Sequence, residues 1–338
     1  MIVVRAPFRI SFVGGGTDLP DFYHKHPGRV ISATINQYIY IVINPTPMVS
    51  KVSARYVLSE TVDHPNKLKH TRIKAALKEL GIMSNIEIGS FASIPARTGL
   101  GSSSSFSVAL MKALNLHKNN KKLSPGETAE AACRLEIDLL GEPIGKQDQY
   151  AAAHGGFNIF QFNPDESVDI KPVLLGYKAN SLLEDHMLLF YTGITRSASK
   201  VLGKQRMSIK KKIKDYQEMT EMVPIFEKEL LAGNMKNLAK LLHQGWLKKK
   251  SLSAGISNPL IDNLYQSSLK AGAWGGKILG AGAGGCLMLI APTKKHKAIR
   301  AKMVALAKKN KLKDFQEIPV KFVQSGAEVL FNDNHTVL

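Results

Sequence analysis

The chain contains, at residues 95–107, the stretch Pro95-Ala-Arg-Thr-Gly-Leu-Gly-Ser-Ser-Ser-Ser-Phe-Ser107. Its two glycines mark a turn, and the apolar residues from Phe106 to Leu114 recur at helical spacing, so the pattern predicts a loop that enters a helix. Free amide groups at a helix start, together with the positive end of the helix dipole, form an anion site. The corner can therefore hold phosphate. Taken alone, the stretch also fits a serine-capped helix after a flexible turn.

This corner differs from a Walker phosphate loop. A Walker loop ends in Gly-Lys-Ser/Thr, whereas the stretch here ends in Gly101-Ser102-Ser103 and has no lysine at that point. The pattern therefore disfavours the ATPases of that class. The serine hydroxyls remain available as oxygen ligands of a magnesium ion.

The 338-residue chain has an ordinary globular composition, with 44% hydrophobic and 22% charged residues. Its length predicts a large core and two domains. No apolar run approaches the roughly 20 residues of a membrane span, and the first residues lack the features of a secretory signal. We therefore expect a soluble, cytoplasmic protein with no membrane partner. Cys133 and Cys286 stand outside any metal-binding pattern, which predicts reduced, buried thiols.

The chain is strongly basic, because 46 Lys and Arg residues against 27 Asp and Glu give a net charge of +19. Such a charge leaves nucleic acid, acidic membranes and anionic small molecules open as partners. The lysines concentrate at residues 204–214 and 294–313, and an apolar stripe in the second run indicates that its lysines form a solvated helix face. Neither run carries the interleaved aromatic residues of single-strand binders, so nucleic-acid binding is the weaker expectation.

Before the corner, the pattern predicts a bent strand at residues 3–13, interrupted at Pro7. This strand ends in Gly14-Gly15-Gly16-Thr17-Asp18, a turn whose glycines permit positive φ and a close approach of the backbone to a ligand. Further elements are expected from β-branched content, alternation and breakers: strands at residues 31–43 and 82–93, and a helix at residues 67–80.

A capping box with proline at the first helical position, Ser124-Pro125-Gly126-Glu127, predicts another helix. One face of this helix is apolar, and by helical spacing Glu136 falls on that same face. Its apolar residues are Ala129, Ala132, Cys133, Leu139 and Leu140. A buried carboxylate is costly unless it is paired, hydrogen-bonded or bound to metal, so Glu136 is a candidate functional residue. If the opposite face packs instead, Glu136 is solvated.

That helix is followed by a tight loop at residues 141–149, which contains two glycines and a proline. The loop delivers Lys146 and Asp148 to the start of a short helix expected at residues 149–154. Asp148 also fits the simpler function of a helix cap.

A polar segment containing Pro164 and Pro172 marks the approximate domain boundary, which predicts domains at residues 1–170 and 171–338. In the second half, a strand at residues 186–192 leads into Gly193-Ile194-Thr195-Arg196-Ser197. A long helical region is expected at residues 198–252.

Late in the chain, Gly280, Gly282 and Gly285 formally match G-x-G-x-x-G. An apolar strand follows them where the dinucleotide fingerprint requires a helix, and Lys302 stands near the position of the expected acidic ribose ligand. We therefore expect a hairpin-like glycine loop. A nicotinamide-dependent oxidoreductase is the weaker alternative, since it rests on this loop alone.

In this order, the motifs resemble those of the GHMP small-molecule kinases, named for galactokinase, homoserine kinase, mevalonate kinase and phosphomevalonate kinase. The resemblance spans nearly the whole chain. Its specific motif is Pro95-x-x-x-Gly99-Leu100-Gly101-Ser102-Ser103-Ser104, and the segments from Ala6 to Asp18 and from Gly280 to Gly285 support it. The resemblance implies an α+β, two-domain GHMP kinase fold, with an N-terminal ribosomal-S5-like domain, a C-terminal ferredoxin-like domain and the active site between them.

Within the family, three segments are similar to those of kinases that act on heptose phosphates: Phe8 to Asp18, Lys146 to Tyr150, and Tyr191 to Ser197. Galactokinases carry Glu-His where this chain has Gly15-Gly16, which puts galactose in doubt as the substrate. A kinase for another sugar, such as fucose, stays open, as does the oligomeric state, including a homodimer.

The resemblance also implies the ligands and the residues that hold them. ATP and Mg²⁺ are the expected cofactors, and a sugar phosphate is the expected substrate. The ATP-binding residues are Pro95, Gly99, Leu100, Gly101, Ser102, Ser103, Ser104 and Gly282. Magnesium is assigned to Ser103 and Glu136, and catalysis to Asp148 with Arg9 and Lys146. The substrate-binding residues are Arg9, Gly15, Gly16, Thr17, Asp18, Asp148 and Arg196.

Two of these assignments also follow from the chemistry of the side chains. Lys146 lies two positions from Asp148, where its charge can help to keep the carboxylate ionised. Arg196 lies on a glycine turn in the second domain, and its planar guanidinium suits the phosphate of a phosphorylated acceptor. Arg196 equally fits a surface arginine that caps the next helix.

Overall fold

The computed structural model describes residues 1–195 and 198–333 of the chain. Its strands are β1 Ile2–Val13, β2 Gly28–Pro45, β3 Val52–Arg55, β4 Ser59–Val62, β5 Ile86–Ala92, β6 Phe157–Phe162, β7 Val168–Pro172, β8 Met187–Tyr191, β9 Gly275–Ile278, β10 Cys286–Ile290, β11 Gln316–Glu317 and β12 Glu328–Asn332. Its helices are α1 Pro20–Tyr23, α2 Thr71–Glu79, α3 Ser102–Asn119, α4 Pro125–Cys133, α5 Gln147–His154, α6 Tyr177–His186, α7 Ala198–Ser208, α8 Ile213–Leu231, α9 Met235–Leu252, α10 Pro259–Lys270 and α11 His296–Lys309.

The first sheet is built around the long antiparallel pair β1 and β2. Its strand order is β12-β1-β2-β5-β3-β4, with β6 paired to the first half of β2 and β7 paired to β6. The predicted break at Pro7 is a shift of register between Pro7 and Phe8 within one continuous strand. Helices α3 and α5 pack on β1 and β2. The sheet therefore directs the ends of β1 and β5 toward the starts of these helices.

The second sheet has the order β11-β8-β10-β9. Helix α9 packs on β9 and β10, and α8 lies between α9 and the first sheet. The last strand, β12, returns to the first sheet and pairs with β1. The domain ranges 1–170 and 171–338 stay a prediction.

The long helical region expected at residues 198–252 consists of α7, α8 and α9, with breaks before Ile213 and at Gly233. Helix α2 begins at Thr71 rather than at Lys67, because Pro65–Lys67 forms a separate 3-10 turn. Both cysteines are buried and unpaired, as expected. Across the described residues, none of the helices combines the length and the apolar character needed to cross a membrane.

The helix that follows the capping box changes its winding partway along. Ser124 and Glu127 form both bonds of the capping box, which confirms the predicted helix start. After Cys133 the chain continues as a π-helix, Arg134–Leu139. A wider turn shifts the later side chains around the axis, so Glu136 is fully buried while Leu139 is 40% exposed. The burial of Glu136 was predicted, but the placement of Leu139 on the same face was wrong.

Candidate active site

The predicted phosphate corner lies between β5 and α3, and it is a turn followed by a helix start. Gly101 is the N-cap of α3 with φ of +75°, and no side chain caps the helix. The alternative of a serine-capped helix is therefore wrong, because the cap position is a glycine. The first amide groups of α3, from Ser102 onward, lie beside a cavity and have the orientation that an anion requires.

A second glycine loop packs against this corner. It joins β9 to β10 as an antiparallel hairpin, as the sequence predicted. A Cβ on Gly99 would lie 2.5 Å from the Leu279 carbonyl oxygen, and one on Gly280 would lie 2.8 Å from the Gly99 Cα. The Cys286 amide also donates to the Thr98 carbonyl at 2.8 Å. The backbone of the hairpin thus fixes the position of the phosphate corner.

Arg9, from the middle of β1, binds the Asp148 carboxylate at two points. Its Nε lies 2.8 Å from Oδ1 and its Nη2 lies 2.6 Å from Oδ2. The remaining nitrogen, Nη1, donates to the Gly99 carbonyl at 2.9 Å. The side chain of Arg9 is 4% exposed and that of Asp148 is 25% exposed. One buried arginine therefore joins the candidate catalytic carboxylate to the phosphate corner, while the carboxylate stays accessible from the cavity.

The turn after β1 is held by a network around Asp18. Asp18 Oδ1 accepts from the Gly16 amide at 2.9 Å and from Gln147 Nε2 at 2.8 Å. Gln147 Oε1 in turn accepts from the Ser11 hydroxyl at 2.8 Å. Burial, and then the charge of Asp148, raise the pKa of Asp18 above its ordinary value. The network holds Gly15 and Gly16 at the wall of the cavity that Asp148 also lines.

Thr17 belongs to the frame of this turn rather than to its cavity side. The residue is fully buried, and its hydroxyl donates to backbone carbonyls of Gly14 and Arg29, 2.8 and 2.9 Å away. Its side chain therefore stabilises the turn, which corrects the expectation that it contacts substrate.

Lys146 lies away from Asp148, although it is only two positions distant in sequence. Its amine donates to Glu166 Oε2 at 2.5 Å and lies 5.7 Å from the centre of the Tyr23 ring. The cation that pairs with Asp148 is Arg9. The expectation that Lys146 supports the charge of Asp148 is therefore corrected: Lys146 is the N-cap of α5, and side chains two positions apart at a helix start point in nearly opposite directions.

The buried carboxylate of Glu136 lies beside the start of α3. Its Oε1 is 3.4 Å from the Ser103 hydroxyl and 3.1 Å from Arg72 Nε, and its Oε2 accepts from Gln149 Nε2 at 2.6 Å. Arg72 also donates to Glu142 Oε1 at 2.6 Å. The buried charge is thus balanced by an arginine that also reaches a second carboxylate.

These groups surround one cavity of about 910 Å³. Residues predicted from the sequence that line it are Arg9, Gly15, Gly16, Asp18, Pro95, Gly99, Gly101, Ser102, Ser103, Ser104 and Asp148. Leu100 and Glu136 are fully buried and are not among the residues that line it. Gly282 packs its backbone against Ile256 with φ of +95°. Arg196 lies outside the described residues.

Two protein families match the chain: the GHMP kinases N terminal domain at residues 68–156 and the GHMP kinases C terminal region at residues 226–309. Together they span about half of the chain and include the phosphate corner, Glu136, Asp148 and the late glycine loop. The chain belongs to the GHMP kinase family. It is therefore a phosphotransferase, and GHMP kinases use ATP as the phosphate donor.

Several known proteins resemble this GHMP kinase along most of its length. A D-glycero-alpha-D-manno-heptose 7-phosphate kinase from Campylobacter jejuni is 29% identical over 317 residues, which cover 89% of this chain and 92% of that protein. A bifunctional fucokinase/GDP-fucose pyrophosphorylase from Arabidopsis thaliana is 26% identical over 329 residues, which cover 89% of this chain and 31% of that protein. The crystal structure of a D-glycero-D-manno-heptose 1-phosphate kinase from Bacteriodes thetaiotaomicron has a TM-score of 0.79 at 25% identity, covering 98% of this chain and 99% of that one.

Several cavity residues of this GHMP kinase were not identified from the sequence. Lys277 lies on β9 and donates to the Ser11 and Phe12 carbonyls at 2.9 and 2.6 Å. Burial, and then the charges of Lys249 and Arg9, hold its pKa well below the ordinary value. A lysine inside an apolar strand pattern was an available signal for this buried cation. Other lining residues that were missed include Tyr56, His70, Arg72, Phe106, Gln147, Gln205 and Lys249.

Proposed function

We propose that this GHMP kinase transfers the γ-phosphoryl group of ATP to the anomeric hydroxyl of D-glycero-D-manno-heptose 7-phosphate. The product is the 1,7-bisphosphate, and the proposed use is the synthesis of nucleotide-activated heptose for surface polysaccharide. The observation that carries the kinase mechanism is the Arg9–Asp148 pair, which lies between the phosphate corner and the Gly15-Gly16 turn. The heptose kinase of Campylobacter jejuni supports the choice of acceptor.

Asp148 is proposed as the proton acceptor. The anomeric oxygen forms a bond to the γ-phosphorus, the bond from that phosphorus to the bridging oxygen breaks, and ADP leaves with the electron pair. The anomeric proton passes to the Asp148 carboxylate as the attack proceeds. Arg9 fixes the orientation of that carboxylate, and its guanidinium lies where negative charge spreads over the transferring group. An anomeric hydroxyl is more acidic than an ordinary alcohol, which suits a carboxylate base.

The nucleotide is proposed to lie with its phosphates at the start of α3. From this corner the cavity extends to an aromatic group of Tyr56, His70 and Phe106. The His70 and Phe106 rings are stacked with their centres 5.0 Å apart, and Tyr56 meets His70 edge-on at 4.6 Å. Burial, and then the charge of Arg72, lower the pKa of His70, which favours the neutral ring. A neutral aromatic wall suits a flat base, so the adenine would lie here.

Magnesium is proposed to bind at Ser103 and Glu136. Within the described residues, no group of three or more His, Cys, Asp or Glu side chains could hold a metal by itself. Magnesium in kinases needs only one or two protein oxygens, because phosphates and waters complete its shell. The 3.4 Å between the Ser103 hydroxyl and Glu136 Oε1 allows both to reach one ion. The ion would neutralise charge on the phosphates.

The acceptor is proposed to lie against Gly15 and Gly16, opposite Asp148. Its remote phosphate needs a cation, and Arg97, Lys146 and Arg196 are the candidates that lie close in sequence to the motifs of the site. The amine of Lys146 is engaged by Glu166, and Arg97 is exposed on the phosphate corner. Arg196 is therefore kept as the proposed ligand. In the sequence Arg196 comes two positions after Ile194, whose carbonyl accepts from the Gly285 amide at 2.9 Å.

The test is incubation of the purified protein with magnesium-ATP and a panel of heptose 7-phosphate, free heptose, galactose and fucose. Phosphorus NMR of the product would show whether the new phosphate is on the anomeric oxygen. We expect heptose 7-phosphate to react far better than the free sugars, and Arg196→Ala to remove most of that preference without changing the ATP dependence. Equal or better activity on fucose would replace the heptose assignment with a fucokinase function, which the likeness to the Arabidopsis thaliana protein favours as the second candidate.

A further inference from the structure

Gln205, on α7, is a fully buried amide at the wall of the active-site cavity. Neither its Nε2 nor its Oε1 makes a hydrogen bond of normal geometry to the described part of the protein. Buried polar atoms almost always have a partner, and leaving a donor or an acceptor unpaired costs about 1–3 kcal/mol. Two such atoms on one side chain therefore need an explanation.

The position of this amide is set by the glycine turn after β1. A Cβ on Gly16 would lie 2.6 Å from Gln205 Nε2, and the φ of Gly16 is +106°. Any larger residue at position 16 would therefore displace the amide. Because Gly16 has no side chain, this wall of the cavity has room for the amide of Gln205.

Tyr216, on α8, lies behind Gln205. Its hydroxyl is also buried without a hydrogen bond of normal geometry to a described residue. Burial raises the pKa of Tyr216 to about 12, and Gln205 and Ser208 act against that shift. The hydroxyl of Tyr216 is thus close to the amide of Gln205. A hydrogen bond between these two side chains is the alternative explanation for the buried amide.

We propose that Gln205 is a specificity-determining residue that hydrogen-bonds hydroxyl groups of the acceptor lying against Gly15 and Gly16. The inference rests on the proposed function and adds the residue that recognises the sugar. A primary amide offers donors and an acceptor side by side, which matches the neighbouring hydroxyls of a polyhydroxylated acceptor. Asp18 and Gln147 line the same part of the cavity, so the hydroxyl-binding wall combines both halves of the chain.

The first test is Gln205→Met, which keeps the length of the side chain and removes both polar atoms. Because neither atom makes a hydrogen bond of normal geometry to a described residue, we expect the melting temperature of the free protein to stay unchanged or to rise. The KM for the acceptor should rise about tenfold, the scale of one or two neutral hydrogen bonds, while the KM for ATP stays unchanged. Tyr216→Phe is the matched control, and it should also leave the melting temperature unchanged.

The second test uses monodeoxy analogues of the acceptor sugar. With the wild type, kcat/KM should be about tenfold lower for one of the analogues than for the full acceptor. With Gln205→Met, that analogue and the full acceptor should have the same kcat/KM, because the bond that the analogue lacks is already absent. Calorimetry of acceptor binding, with a non-hydrolysable ATP analogue present, gives the same comparison without turnover. Unchanged acceptor affinity in Gln205→Met would overturn the inference. Equal loss of melting temperature in Gln205→Met and Tyr216→Phe would assign the amide to an internal bond and would also overturn it. A wild type that phosphorylates no sugar would instead refute the proposed function.

Discussion

Arg9 and Asp148 are 139 positions apart in sequence and form a two-point ion pair, with Nε to Oδ1 at 2.8 Å and Nη2 to Oδ2 at 2.6 Å. Because two nitrogens of the guanidinium bind two oxygens of the carboxylate, the pair fixes the orientation of the carboxylate as well as balancing its charge. The carboxylate cannot rotate without breaking one of these bonds. It is thus held in one orientation at the wall of the cavity, as the proposed function of Asp148 as proton acceptor requires.

Asp148→Asn should lower turnover by at least about a hundredfold, the scale of losing a positioned base. The amide keeps the shape of the side chain, so ATP binding should stay nearly intact. Steady-state kinetics and nucleotide binding by calorimetry would measure the two effects separately. Turnover close to that of the wild type would remove Asp148 from the mechanism.

A double-mutant cycle with Arg9→Lys tests whether the two residues act as a unit. Lysine keeps the charge but cannot hold both carboxylate oxygens. If Arg9 acts mainly through Asp148, the double variant should be scarcely slower than Asp148→Asn alone. Additive losses would instead give Arg9 an independent function.

The elements around this pair were largely predictable, because each has a local signal. The capping box at Ser124 and the glycines of the β9–β10 hairpin act through neighbouring residues in the chain. The pairing of Arg9 with Asp148 has no such signal, since it depends on how β1 and α5 meet in the fold. Arg72 and Gln205 were missed for the same reason: each makes its contacts with residues distant in sequence.

The π-helix after α4 shows another limit of periodicity. A count at 3.6 residues per turn places Glu136 and Leu139 on one face, but the wider turn separates them. Glu136 is only the third residue of the π-helix, so its side chain is shifted less around the axis than that of Leu139, and its burial was predictable. The exposure of Leu139 was not, since nothing in the spacing of apolar residues marks where the winding changes.

Glu136→Gln should weaken the use of magnesium more than it weakens the fold. The variant keeps the shape of the side chain and can still accept a hydrogen bond, but it loses the negative charge that is proposed to bind magnesium. We expect the magnesium concentration for half-maximal rate to rise about tenfold or more, the scale of disturbing a metal site. Asp138→Asn, two positions away and exposed, is the matched control. A Glu136→Gln protein that unfolds while its magnesium dependence is normal would make the residue structural.

The ion pair of Lys146 with Glu166 should contribute stability that depends on pH. Although burial acts against the shift, hydrogen bonds from His24, Lys146 and Tyr23 lower the pKa of Glu166 to about 2. Since the folded pKa lies below the ordinary 4.5, the ionised carboxylate stabilises the fold above pH 4.5, and this contribution is lost as the pH falls from 4.5 toward 2.

Glu166→Gln should therefore lower the free energy of unfolding at pH 7 by at most about 1 kcal/mol, because the side chain is half exposed and solvent screens the pair. The difference from the wild type should shrink as the pH is lowered below 4.5. Urea denaturation at pH 7 and pH 4 would measure it, with the exposed Asp185→Asn as the control. If the difference in free energy of unfolding between Glu166→Gln and the wild type grew as the pH fell, the pKa of Glu166 could not be lowered in the folded protein.

The contact between the two glycine loops makes Gly99 the position where a single methyl group should disturb nucleotide binding most. Its φ is +82°, and an added Cβ would lie 2.5 Å from the Leu279 carbonyl oxygen. Gly99→Ala combines backbone strain with a clash against rigid backbone, so the phosphate corner must move. We expect the KM for ATP to rise about tenfold or more and the melting temperature to fall. Gly126→Ala, where an added Cβ meets no atom within 4 Å, should leave both unchanged. Equal behaviour of the two variants would show that the hairpin does not hold the corner in place.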